Sequence, residues 1–390
     1  AYADLTANDV WTDWKDYLAS TGYTVTGDEQ SSGNSLTISN LSVEMPIPED
    51  EGSFAITMDA LTFAENGDGT VDITMPDSIP MTFFTDADDE GPVSVALTYA
   101  HSDTAMTATG SPEDVTYAYA SSRATMELTS LSIDNEPMPE DMLRILVAIE
   151  NIDTKTRLLN GDLRTYSQQM TADAVIYDVA FDDPDSEDMG KFKGVVRNVT
   201  ADGTGSIPLE MDTSDLNASL QAGFAAQATL AYGDGNSTIE GTGDGESFGL
   251  ASASKGGSLT FEMDASHMAY DVNQQQMSMT MTSAELPVPV EIAVEQSAFN
   301  LSMPIQKSDD EQDFAFGLNL TNFTMSDLLW SMFDPAAQLP RDPATVVLDT
   351  TGKGKLLLSF FDPKDAAILE LGETPPGEIS ALTIKKLIVS

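Results

Sequence analysis

The 390-residue chain has no cysteine, two histidines, and only 17 lysines and arginines against 64 acidic residues. Without cysteine there can be no disulfide, no thiol nucleophile and no zinc-thiolate centre. The shortage of cations leaves a net charge of −47. Such a field repels polyanions and excludes nucleic acid as a partner. Long apolar runs are missing too: no stretch reaches the roughly eighteen residues of a membrane helix, so no transmembrane segment is expected. What remains is 41 % hydrophobic residues. That is close to the usual globular share, so a sizeable core is expected and wholesale disorder is not. The length suits two domains or one elongated β unit.

The opening Ala1-Tyr2-Ala3 has the small-x-small form of a secretory cleavage site. It predicts an exported, periplasmic protein whose signal peptide has been removed. The acidic excess suits salty surroundings, as for a marine or halotolerant bacterium, because counterions screen self-repulsion. From residue 1 to 122 the only cation is Lys15, whereas Arg144, Lys155, Arg157, Arg164, Lys191, Lys193 and Arg197 fall mid-chain. They read as ordinary ion-pair partners on a solvated surface, with a local positive face near the centre as the alternative.

Most of the chain alternates apolar and polar residues between Gly, Asp, Asn and Pro turns, the pattern of many strands. One spacing recurs: two apolar residues two apart, a gap of three, then two more. It appears at Leu36, Ile38, Leu41, Val43; at Ile56, Met58, Leu61, Phe63; and at Met126, Leu128, Leu131, Ile133. Further copies are Leu318, Leu320, Phe323, Met325 and Leu382, Ile384, Leu387, Val389. One extra residue in a strand would turn every later apolar side chain to solvent. A β-bulge at the inserted pairs Ser39-Asn40, Asp59-Ala60, Thr129-Ser130, Thr321-Asn322 and Lys385-Lys386 restores the phase. Bulged strands coil, so the expected fold is mainly β: a long, coiled and bulged antiparallel sheet, half-barrel or groove-like, with a few packed helices.

Three segments break this rhythm. Val10, Trp14, Tyr17 and Leu18 predict a helix over 6–18, capped by Thr6 or Asn8. The dense apolar run Met142 to Ile149 predicts a buried helix over 139–149, and Leu328 to Phe333 a third over 326–333 behind Ser326. The latter two either plug the open sides of the sheet or dock on a partner or interface. The acidic stretch Asp182 to Asp188 and the Gly-rich run Gly233 to Gly257 read as mobile loops. They suggest an N-terminal β-rich lobe over 1–181 and a C-terminal lobe of the same architecture over 182–390.

The chemistry is sparse. His101 and His267 are the only histidines, and neither lies by a Gly-x-Ser-x-Gly elbow, so no catalytic residue is assigned. Carboxylates are too abundant for any one pair to point to glycoside chemistry. Gly352-Lys353-Gly354-Lys355 lacks phosphate-loop spacing and reads as a turn. Asn66 to Asp72 resembles a calcium loop but has Val71 at the sixth position and Asp77 at the twelfth, and reads as a hairpin turn. Asp234 to Glu246 offers cation screening without a binding frame. No metal or other cofactor is expected.

Trp330-Ser331-Met332-Phe333-Asp334-Pro335, then Leu339-Pro340-Arg341-Asp342-Pro343-Ala344 and the Leu-Asp-x-Thr-Gly segment at Leu348 to Gly352 resemble the alphaproteobacterial periplasmic domain-of-unknown-function family 2125. The resemblance extends over most of the chain, including Leu5 to Trp11. It implies a signal-bearing, envelope-located, β-rich protein and supplies no catalytic residues. Family members often continue beyond the position of Ser390, which would make the last repeat copy a cut edge.

Together these features predict a non-enzymatic protein that binds or shields apolar molecules such as lipids during envelope maintenance. Its candidate ligand-binding residues are Leu146, Met277, Met279, Met281, Leu329 and Trp330, since methionine adapts to ligands of variable shape. The alternative is a structural protein that binds a partner or itself through an exposed edge at Leu382 to Val389 or through its apolar helices.

Overall fold

The computed structural model describes residues 5–47, 52–87, 91–183, 186–209, 211, 215–243, 245–372 and 375–390. Ala1 to Ala3, read above as a cleavage site, lie outside them, as do Pro184 and Asp185 of the acidic stretch. The chain forms two compact units, Ala1–Val195 with Leu209–Met211, and Val196–Pro208 with Asp212–Ser390. In the first, helix α1 (Ala7–Ser20) precedes β1 (Thr24–Ser32), β2 (Ser35–Ile47), β3 (Gly52–Glu65), β4 (Val71–Thr74), β5 (Ser78–Ala87) and β6 (Gly91–Ser102). There follow β7 (Ala105–Ser111), β8 (Asp114–Ile133), the short β9 (Glu136–Pro137), β10 (Leu143–Leu159) and β11 (Leu163–Asp182). The units part within β12 (Met189–Pro208). The second holds α2 (Leu216–Gln221), β13 (Ala225–Tyr232), β14 (Asp234–Gly243), β15 (Glu246–Ser254), β16 (Gly257–Met263), β17 (His267–Ser283) and β18 (Val290–Pro304). It ends with β19 (Gln312–Met325), α3 (Asp327–Phe333), β20 (Ala344–Leu356), α4 (Pro363–Leu371) and β21 (Gly377–Val389).

The protein is mainly β, and its described strand pairs are antiparallel. β4 and β5 both pair with β3, and β6 and β7 both pair with β8, so each couple is one long strand interrupted once. β15 and β16 share β17 in the same way. With these joined, the described pairings within each unit link strands that follow one another in the chain, a plain meander.

The repeat sets the sheet's curvature. β2 and β3 carry facing copies that match residue for residue: Leu36 opposite Phe63, Ile38 opposite Leu61, Leu41 opposite Met58, Val43 opposite Ile56. Their inserted pairs therefore oppose each other and this ladder keeps a single register. Against other strands the register slips at the insertions, between Thr26 and Asp28 opposite Asn40, and between Leu320 and Phe323. Thr129 and Lys385 are likewise skipped in their ladders. At two of these phase switches an asparagine adopts the left-handed conformation that its short amide tolerates, Asn40 at φ 52° and Asn322 at 51°, and Asn151 of β10 does the same at 50° without a slip in either of its ladders. Each amide donates to an acid on the adjacent strand. Asn40 reaches Asp28 at 2.9 Å, Asn151 reaches Asp173 at 2.8 Å, and Asn322 reaches Glu295. Gln276, at φ 46°, repeats the conformation on β17. Gly27 gives clearance beside the first switch, because a Cβ there would sit 2.8 Å from the Ile38 methyl.

Three expectations are corrected. The segment 139–149 is not a helix: β10 begins at Leu143 and pairs with β8 on one side and β11 on the other. Its apolar run reflects a strand partly covered on both faces, where period two and period 3.6 cannot be told apart. The Gly-rich run is not a loop but the β14–β15 hairpin. Gly352 to Lys355 lies inside β20, not at a turn. The helices over 6–18 and 326–333 are present as α1 and α3, while the short α2 and α4 carried too little periodicity to be read.

In the first unit α1 is the centre of the core. Thr6 and Asp9 form a capping box. Val10 and Trp11 are buried with Leu36, Ile38, Leu61, Phe63, Val71 and Tyr117, and Trp14 meets Phe63 edge-on at 5.5 Å. Trp11 Nε1 donates to Glu29 of β1 at 2.8 Å, while Asp13, two residues on, pairs with Arg164 of β11. In a flat sheet those strands would stand about 34 Å apart, seven spacings of ~4.8 Å. Side chains so close on one helix reach both only because the sheet curls around α1. The second unit has its own smaller core, where Leu220 of α2 is buried with Met263 and Ile305 against Phe261, Met268 and Phe360.

Candidate apolar ligand site

Cross-strand neighbours share a face, so the register defines what each face presents. In the second unit one row runs Leu230, Leu259, Val272, Phe299, Leu318, Leu348, Leu387 across seven strands, apolar at every position. One residue along, the opposite face reads Thr229, Thr260, Asp271, Asn300, Gly317, Asp349, Lys386. The sheet is thus amphipathic throughout its width. The apolar row is half-buried in the middle and open at its ends, with Leu230 45 %, Leu259 41 % and Leu387 62 % exposed. The next row adds Phe261 against Tyr270 at 5.0 Å and leads through Leu301 and Phe316 to Thr350 and Ile384.

The first unit repeats the pattern. Val25, Val43, Ile56, Met81, Leu97 and Leu128 form a row over six strands, and Met45, Phe54, Phe83, Val95 and Leu131 a second. Helix α1 covers one end of this face. There Asp13, Trp14, Tyr17, Met106, Tyr117 and Arg164 line a cavity of about 340 Å³. Burial raises the Asp13 carboxyl above its ordinary range despite Arg164 and the 3.0 Å bond from Asn160, and burial likewise pushes the Tyr117 phenol up.

The predicted residues separate. Met277, Met279 and Met281 lie on the apolar face, opposite Val294, Ile292 and Val290. The Gln276 switch brings them there, since Tyr270 and Val272 hold the same face in the other phase. Leu146 belongs to the first unit and faces Glu127 and Asp178, away from the apolar row that contains Val147. Leu329 and Trp330 are half-buried on α3, whose Met332 and Phe333 are each 73 % exposed. Asp334 accepts from the Leu339 backbone at 2.7 Å and Arg341 pairs with Asp327, so this motif ties the loop to its helix. Sequence reasoning missed a second cavity, also about 340 Å³, formed where β18, β19, β20 and β21 meet around Leu301, Phe314, Phe360 and Ile379. Its signal was the Gly-x-Gly of β20, read as a turn.

His101 is buried, with Nδ1 2.7 Å from the Thr104 hydroxyl and Nε2 without a partner among the described residues. His267 sits in a turn with Asp264, whose carboxyl, although partly desolvated, is pulled down to about 2 by bonds from Ser266 and His267. Asn66 to Thr70 close the β3–β4 hairpin. Among the described residues no group of three side chains is placed to hold a metal, and no helix is long and apolar enough to cross a membrane. Compared with known proteins, the chain matches no family model, no curated protein and no solved structure.

Proposed function

We propose that this protein is a non-enzymatic carrier or shield for apolar chains, lipid acyl chains foremost, in the periplasm of a bacterial envelope. The observation that carries the reading is the seven-strand apolar row from Leu230 to Leu387, continuous in register yet open at its ends. A face of that width backed by a polar one solvates hydrocarbon on one side and water on the other. The envelope location rests on the resemblance of Trp330 to Ala344 to the periplasmic family. Organic extraction of the purified protein followed by native mass spectrometry tests the reading. Co-purifying lipid, or uptake of added lipid in a fixed ratio, is the expected result; a protein that carries none and takes up none overturns it.

A second reading, association through an edge, is favoured by β21. Its Ile379, Leu382, Ile384, Leu387 and Val389 are each more than half exposed, and among the described residues it pairs only with β20. Unpaired edges recruit further strands.

A further inference from the structure

Strand β21 is exposed along nearly its whole length, and its pattern reads alike in both directions. On the apolar face Ile379, Leu382, Ile384 and Leu387 are spaced three, two and three apart. Ser380 and Lys385 are skipped in the ladder with β20, and the inserted pairs Ser380-Ala381 and Lys385-Lys386 lie symmetrically about Thr383. In β2 and β3 two such patterns already face each other. There apolar residues meet apolar residues, inserted pair meets inserted pair, and the ladder keeps one register. A strand that is its own reverse can pair by the same rule with a second copy of itself, about a two-fold axis normal to the sheet.

Two registers match the apolar residues. One, centred between Lys385 and Lys386, sets Lys385 of each copy opposite Lys386 of the other and crowds their ammonium groups together. The other, centred on Thr383, sets Leu382 opposite Ile384 and Ile379 opposite Leu387, while Lys385 and Lys386 face Ala381 and Ser380. Glu378 and Lys386 share the polar face, opposite Lys355 and Asp349 of β20. In the second register Glu378 lies diagonal to Lys386 of the other copy, twice over by symmetry and within reach of long side chains. Charge therefore selects the register centred on Thr383. It also favours the place: β21 carries one acid and two lysines in a chain of net charge −47, so copies that repel elsewhere meet here without an acidic barrier.

We propose that β21 is the interface of a two-fold homodimer, pairing antiparallel with β21 of a second copy about Thr383. Each copy uses up its free edge in the pairing, so assembly closes at two. Opposite residues share a face, and the apolar faces of the two second units thus lie on the same side of the joined sheet. The inference rests on the edge-association reading and names its partner and register.

The chain has no cysteine, so any disulfide reports an introduced pair alone. Opposite Cα atoms of an antiparallel pair stand about 4.5–5.5 Å apart, inside the span that a disulfide bridges. Mild oxidation of Thr383→Cys should therefore give a covalent dimer as the main product. Ile388→Cys alone should give little, since its two copies lie roughly 33 Å apart along the strands, yet mixed with Glu378→Cys, which stands opposite it, it should cross-link. Light scattering of the wild type should show a mass that doubles with concentration and then levels, at lower concentration as salt screens the acidic copies. If Ile384→Lys with Leu387→Lys dissociates the dimer but neither Thr383→Cys nor the mixed pair cross-links, the register is overturned and edge association stands. A mass that keeps growing past two copies has the same meaning. A wild type monomeric at every concentration, or a dimer indifferent to the two lysines, overturns both. The mixed pair decides the register if Thr383→Cys does not fold, and the wild-type mass decides closure without any variant.

Discussion

The ion pair between Asp13 of α1 and Arg164 of β11 joins the helix to the far side of the curled sheet, and removing one partner should be expensive. Their side chains are only 13 % and 12 % exposed. Arg164→Met keeps the length of the stem but strands a carboxylate beside Tyr117. Breaking such a buried pair costs about 3–5 kcal/mol, and the surviving bond from Asn160 places the expectation near ~3 kcal/mol at neutral pH. The pH dependence gives the reasoning its edge. Burial raises the folded-state value of Asp13 above that of the unfolded chain. The folded unit therefore holds this proton more tightly, and its contribution to stability is greatest in acid and lost as pH rises through the folded value. Without Arg164 that value climbs further, so the variant should lose most at neutral pH and approach the wild type as pH falls. Asp13→Asn in the Arg164→Met background should recover a large part of the loss. Urea unfolding followed by tryptophan fluorescence reads this unit, because two of the three tryptophans, Trp11 and Trp14, lie in α1. A stability gap that does not change with pH, or a double variant no better than the single one, would refute the account.

The phase switches give a second expectation: Asn40→Val should cost about 1–2 kcal/mol for forcing a branched side chain to positive φ, plus its bond to Asp28, whereas Asn40→Gly should be milder, as denaturant midpoints would register. Gly27→Val should destabilise the first unit by about 1–3 kcal/mol through overlap with Ile38, measured the same way. If β21 is an association edge, Ile384→Lys with Leu387→Lys should lower the scattering mass at high protein concentration, and a wild type monomeric at every concentration would dismiss that role.

What could be read in advance was whatever repeats at short range. The five copies of the spaced apolar pattern announced bulged strands, and Thr6, Val10 and Trp14 announced α1, because capping and period 3.6 are local properties. The run from Leu143 to Ile149 misled because a strand covered from both sides loses its alternation, and the Gly-x-Gly of β20 misled because a glycine kept for clearance looks like one kept for a turn. Leu146 came from the apolar run read as a helix, while its face depends on which strands flank it, Glu127 on one side and Asp178 on the other. The cavity beside Gln312 was hidden for a different reason. It is assembled from four strands and a loop, and no stretch of the chain carries its outline.

The meander has a consequence for how the molecule comes into being. Because the strands of each unit pair with those before and after them, every hairpin is available as soon as its second strand exists, and loop closure is short at each step. Folding can proceed as a zipper from the first hairpin onward, fast for so large a β protein because the entropy of distant pairing is never due all at once. The same order means that each intermediate ends in a bare strand awaiting the next. Through most of its assembly the chain displays an adhesive edge, and the charge that keeps such intermediates apart is carried by the acids of its polar face.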